Sequence, residues 1–211
     1  MGRWVGRLVG ARWMVLAVGL ALGVEGGGSA LAQTPEARPG QPGWTRTDRG
    51  CHVWHPAPSP GANASWNGAC QNGRASGGGT MFWRYSSWTE RYDGEMRDGK
   101  RHGRGTYVWA NGNRYDGEWR EGHGHGRATW VGSNGARYEG EYRDGKRHGR
   151  GTYVFENGDR YEGEYRDGVP DGLGAFYFAD SGETYNGLWR QGCFRDGGRR
   201  VASGVPLSSC P

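Results

Sequence analysis

From Tyr92 onward the chain repeats one phrase with almost no drift. Aligned on the aromatic that opens each unit, the starts fall at Tyr92, Tyr115, Tyr138, Tyr161 and Tyr185, in steps of 23, 23, 23 and 24 residues. A fainter copy, WNGACQNGRASGGGTMFW, opens at Trp66 and keeps glycine at +2, +7, +11 and +13, threonine at +14 and an aromatic at +17. A short period of this kind rules out a conventional single core. Each unit is one supersecondary element, and it buries its apolar face only against its neighbours. Residues 66–192 therefore read as one repeat array. The 43 glycines follow this period and not the three-residue period of collagen, and 11 Trp and 11 Tyr argue against a disordered chain.

Within a unit the pattern is that of strands. In YDGEMR, alternation places Tyr92, Gly94 and Met96 on one face and Asp93, Glu95 and Arg97 on the other. A turn, DGKRHG, follows, and Asp98-Gly99 is a strong turn signal. The next segment puts Gly105, Tyr107 and Trp109 on one side and Arg104, Thr106 and Val108 on the other, before ANGN leads into the next tyrosine. The expected fold is all-β: tandem β-hairpins forming an elongated, twisted antiparallel sheet, a solenoid-like meander. Strand glycine marks a close approach. Here it leaves a bare strip of backbone on which a ring from a neighbouring strand is expected to lie. Such a ring buries about 150–250 Å². At about 25 cal/mol per Å² that outweighs the cost of order 1 kcal/mol for a strand glycine.

The two ends differ from the array. Arg3, Arg7 and Arg12 precede the apolar run WMVLAVGLALGV, and ALA precedes Gln33, which is the pattern of a secretory signal peptide over residues 1–32. The run has 12 residues, short for a bilayer span. Without that segment's three arginines and one glutamate the net charge falls from +5 to +3. Export to a periplasm, cell envelope or medium is the expected localisation, ahead of an uncleaved membrane anchor. The four cysteines, Cys51, Cys70, Cys193 and Cys210, all lie in the exported part, where an even number favours disulfides. Three connectivities are possible. Pairing Cys51 with Cys70 and Cys193 with Cys210 brackets each end of the array. Residues 33–65 then form a linker and N-terminal cap, and residues 193–211 a C-terminal cap.

The unit YEGEYRDGKRHGRGTYVFENGDR, residues 138–160, resembles a nearly ideal MORN (membrane occupation and recognition nexus) repeat. The resemblance implies a β-hairpin per repeat and a grooved sheet built from tandem copies. It also implies an interaction platform for protein partners, self-association or acidic phospholipids. The Trp66 copy departs from the pattern with Cys70 in the +4 aromatic slot, and the Tyr185 copy keeps only its first strand.

Little points to catalysis. His102, His125 and His148 share the +10 position, and equivalent residues of neighbouring hairpins stand roughly 10 Å apart, too far to share one metal ion. They are expected as exposed turn residues. There is no G-x-S-x-G elbow, and Gly103-Arg104-Gly105 lacks the Lys-Ser/Thr and helix of a phosphate loop. Glu95, Glu118, Glu141 and Glu164 recur in register with Arg97, Arg120, Arg143 and Arg166, which reads as a solvated ladder. No enzyme activity, cofactor, metal, nucleic acid or small-molecule substrate is expected.

Two surfaces remain as candidates. The first is an aromatic groove of Tyr92, Tyr107, Trp109, Tyr115, Trp119, Trp130, Tyr138, Tyr142, Tyr153, Tyr161, Tyr165, Tyr185 and Trp189, suited to a protein partner or a second copy. The second is a basic turn edge of Lys100, Arg101, His102, Arg127, Lys146, Arg147 and His148, facing a neutral to acidic edge of NGN, SNG, ENGD and DSGE turns. An edge so charged suits an anionic partner, including an anionic lipid surface. The leading expectation is an exported, non-catalytic scaffold binding protein through the groove. The alternative is a peripheral module on anionic phospholipids.

Overall fold

The computed structural model describes residues 43–56 and 62–210, all within one compact unit, Thr34–Pro211. The expected signal peptide, and residues 33–42 and 57–61 of the expected linker and cap, lie outside the described residues. Sixteen strands follow in order: β1 (Gly43–Arg46), β2 (His52–His55), β3 (Asn63–Trp66), β4 (Ala69–Gln71), β5 (Arg74–Arg84), β6 (Thr89–Arg97), β7 (Lys100–Val108) and β8 (Arg114–Arg120). Then come β9 (His123–Val131), β10 (Arg137–Arg143), β11 (Lys146–Val154), β12 (Arg160–Arg166), β13 (Val169–Tyr177), β14 (Thr184–Arg190), β15 (Cys193–Asp196) and β16 (Arg199–Ala202). They form one sheet. From β5 to β16 each strand pairs antiparallel with the next, β3 and β4 pair with β5, and β2 joins β5 in parallel at His52 and Arg74.

The hairpin turns are tighter than DGKRHG suggests. Arg97 pairs with Lys100, so only Asp98 and Gly99 form the loop, with φ of 49° and 77°. Two positive φ values define the type I′ turn, whose twist matches that of the flanking strands. Glu121-Gly122, Asp144-Gly145, Asp167-Gly168, Asn72-Gly73 and Gln191-Gly192 repeat this geometry. Lys100, Arg101 and His102 are consequently strand residues, not turn residues, and Arg101 shares a face with Tyr107.

A bulge recurs in each repeat. Gly94 pairs with Gly105 but Glu95 pairs with His102, leaving Gly103 and Arg104 as extra residues, and Gly103 takes φ of 59°. The Glu95 carboxylate lies over Gly103, as Glu118 does over Gly126 and Glu141 over Gly149. Glu118 and Glu141 also accept the N–H of Arg127 and Arg150, at 3.3 and 3.2 Å. The regular glutamates thus fill bulges instead of forming the expected ladder. Arg97, Arg120 and Arg143 pair with the turn acids of the next repeat, Glu121, Asp144 and Asp167.

The ring-bearing face holds the core. Tyr92, Tyr138 and Tyr161 are fully buried, and each donates its hydroxyl to the carbonyl three residues on, at 2.8, 3.0 and 3.1 Å. The seat is as expected, but its occupant is not. The ring over Gly140 belongs to Tyr138 of the same strand, and it reaches diagonally onto Gly151 of β11. Edge-to-face contacts then zigzag along the array: Tyr115 to Trp119 and Tyr142, Tyr138 to Tyr142 and Tyr165, and Tyr161 to Tyr165 and Trp189, with centroids 4.7–5.2 Å apart. Disulfides Cys51–Cys70 and Cys193–Cys210, with Cα separations of 5.7 and 5.5 Å, pin the two ends.

Candidate functional site: an aromatic groove beside a row of turns

The thirteen candidate aromatics divide into two classes. Tyr92, Tyr107, Tyr115, Trp119, Tyr138, Tyr161, Tyr165 and Trp189 are buried and belong to the core. Trp109, Trp130, Tyr142 and Tyr153 are half-buried and line one cavity of about 690 Å³. Tyr185 is half-buried too, but it packs farther along, against Phe178 and Phe194. Alternation finds the face. It does not tell which rings the neighbouring turns seal off.

The cavity's side wall is made by turn glycines Gly122, Gly145 and Gly168, and its near end by His55 and Pro56 of the N-terminal cap. Each turn reaches toward the preceding repeat: the N–H groups of Gly122, Gly145 and Gly168 bond the carbonyls of Arg101, Gly124 and Arg147 at 2.9, 2.9 and 3.0 Å. Two guanidinium groups face the groove. Arg101, 4% exposed, lies 4.7 Å from the Tyr107 centroid and 4.5 Å from that of Trp119, and donates to the Gly122 carbonyl at 2.8 Å. Arg147 stands over Tyr153, Tyr165 and Tyr138 at 5.0, 5.3 and 5.7 Å. Neither makes a salt bridge among the described residues, although the Glu90 charge acts on Arg101. Burial pulls the Arg101 guanidinium below its ordinary value, although arginine keeps its charge in proteins.

The MORN repeat family model matches residues 92–114, 115–137, 138–160 and 161–183. The chain is a MORN-repeat protein. MORN repeats make binding or scaffold modules and are in general non-catalytic. No curated protein matches the chain. The units beginning at Trp66 and Tyr185 lie outside the four matched repeats. Trp66 nevertheless seats its indole against Gly68 and Gly79, so the first unit keeps the MORN packing with a larger ring.

The seven basic-edge candidates do not form one edge in this MORN array. Arg101 and Arg147 are drawn into the groove because the short turn puts them in phase with Tyr107 and Tyr153. His102 and His148 are half-buried, with Nδ1 atoms that have no hydrogen-bond partner among the described residues. Lys100 pairs with Glu121 at 2.9 Å. Arg127 lies on the opposite face, in a second cavity where Arg104, Arg137 and Arg150 alternate with Asp116, Glu118, Glu139 and Glu141. Lys146, like Arg127, is exposed and without an ion pair among the described residues.

One cluster at the groove's end escapes sequence reasoning. Tyr107 donates to Glu90 at 2.5 Å, and His55 Nε2 lies 3.4 Å from the same oxygen and 3.3 Å from the Tyr107 hydroxyl. Burial would raise the Glu90 carboxyl. The hydrogen bonds of His55 and Tyr107 outweigh it and hold the group below its ordinary value. Glu90 is in phase with Tyr92 and Gly94, which is the one available signal. His55 lies 35 residues earlier and gives none.

Proposed function

We propose that this MORN array is an exported, non-catalytic scaffold that binds a protein partner through the aromatic groove. The observation that carries the reading is the open row of Trp109, Trp130, Tyr142 and Tyr153, with Arg147 stacked among them. Aromatics and arginine on a rigid floor are the composition of an interface centre. Export is supported by two cysteine pairs within disulfide distance, and no helix among the described residues is long and apolar enough to cross a membrane. The anionic-lipid reading needs Lys100, Arg101, Lys146 and Arg147 on one exposed edge. Two of those four face the groove instead, which favours the protein reading.

The test is retention of proteins from a cell-envelope extract by residues 33–211, at low and high salt, by the parent and by Trp130→Ala/Tyr153→Ala. Groove binding predicts salt-resistant retention that the double variant loses. Retention that vanishes at high salt and ignores the variant would sink the reading.

A further inference from the structure

The type I′ turns form a row along the groove, and the two caps already show how that row is read. At the N-terminal end, the N–H groups of His52 and Trp54 bond the carbonyls of Gly73 and Gly99 at 2.8 and 2.7 Å. The Trp54 ring covers the next turn, so close to Gly122 that a Cβ there would meet its Cε3 at 2.5 Å; Trp44 covers Gly99 in the same way. At the other end the Ser203 N–H bonds the Gly192 carbonyl at 2.8 Å, and Val205 lies against Gly192. Gly73 receives only an amide and Gly122 only a ring, but at Gly99 and Gly192 the turn is used twice. An amide meets the carbonyl, and a side chain covers the glycine.

The middle of the row is different. The Gly145 and Gly168 carbonyls have no hydrogen-bond partner among the described residues. Among the described residues, a Cβ on Gly145 would meet only His123 Nδ1, at 3.7 Å, and one on Gly168 would meet nothing within 4 Å. The sequence explains why Gly145 is open. The Gly122 carbonyl is satisfied by the Arg101 side chain, but the equivalent residue one repeat on is Gly124, which has none to offer. The donors of the cap strand are His52 and Trp54, and the next alternate residue, Pro56, has no N–H to offer the row. Beside the open turns stand Lys146 and Arg147, both without a carboxylate partner among the described residues.

We infer that the groove takes an extended peptide segment of a partner protein as an added main-chain rung. An aromatic residue of the peptide donates its N–H to the Gly145 carbonyl and lays its ring over Gly168, repeating what Trp54 does at Gly99 and Gly122. An acidic side chain within two residues of it meets Lys146 and Arg147. Main-chain bonding supplies general affinity, and the ring and the acid supply selection. The inference rests on the protein-binding reading above and names the chemistry of the partner.

The probe is a displayed library of random dodecapeptides, panned against residues 33–211. Enriched peptides should carry an aromatic with an acidic residue within two positions, and should bind at least tenfold more weakly to Lys146→Glu. N-methylation of the aromatic's amide should weaken binding at least tenfold. Gly145→Asn should do the same, because asparagine tolerates the φ of 82° while its side chain screens the carbonyl. Gly182→Asn, at φ of 70° on the opposite edge, should bind as the parent does. Should Gly145→Asn fail to fold, the N-methylated peptide still decides. Peptides that ignore both changes but are lost on Trp130→Ala would overturn the rung and leave groove binding standing. No enrichment would overturn the inference, and so would self-association of the parent that Gly145→Asn abolishes, because the occupant is then a second copy.

Discussion

Gly140→Val tests whether glycine seats hold this sheet together. A Cβ at Gly140 would stand 2.5 Å from the Tyr138 hydroxyl, 2.6 Å from the Gly151 Cα and 2.7 Å from the Arg150 carbonyl. The phenol can swing away, but the two backbone atoms belong to the paired strand β11 and cannot move without breaking the ladder. Overpacking of a tight site costs about 1–3 kcal/mol, and valine against backbone belongs at the upper end. A loss of about 3 kcal/mol lowers the melting midpoint of a domain this size by roughly 6–12 °C. Gly78→Ala is the control: it lies in β5, has negative φ, and a Cβ there meets nothing within 4 Å. Gly151→Ala should fall between the two, since the equivalent position one repeat earlier is Ala128 and is accommodated at 7% exposure. Thermal melts followed by far-ultraviolet circular dichroism give the midpoints. If Gly140→Val and Gly78→Ala melt together, seat packing is refuted.

Urea melts should separate two adjacent-looking cations: Arg101→Ala loses a buried hydrogen bond and its stacking on Tyr107 and Trp119, costing about 3 kcal/mol, whereas exposed Lys146→Ala stays within about 0.5 kcal/mol. Glu90 has a lowered pKa, so its stabilising contribution is present above its ordinary value of 4.5 and is lost as pH falls through the lowered one. Glu90→Gln should therefore be less stable than the parent at neutral pH, with a gap that narrows below pH 4.5 in acid titrations followed by tryptophan fluorescence. Replacing Cys193 and Cys210 with serine removes a loop closure of 17 residues and should cost about 3 kcal/mol in denaturant melts.

Much of the fold was legible because the repeat carries its own punctuation. A polar residue followed by glycine, Asp-Gly in three of six cases, marks each type I′ turn, and alternation of Tyr, Gly and Tyr or Trp fixes the face. What escaped was phase across the turn. Read as a six-residue loop, DGKRHG leaves Arg101 and Arg147 exposed on an edge; read as a two-residue loop, it puts them under the next turn and into the groove. The bulge at Gly103 and Arg104 was equally silent, since a bulge glycine and a seat glycine look alike in sequence. The His55, Glu90 and Tyr107 cluster depends on where the cap strand docks, and no local pattern records that. Which aromatics stay open, Trp109 and Trp130 but not Trp119, depends on the turns that fold over their neighbours.

The groove as the partner-binding surface is tested most directly by site-specific photocrosslinking in a cell-envelope extract. A benzoylphenylalanine replaces Trp130 on the groove floor or Thr152, which pairs with Glu162 and belongs to the opposite face. Groove recognition predicts discrete protein adducts from position 130 that persist at high salt, and none from position 152. Adducts from position 152 alone, or equal labelling from both faces, would contradict it.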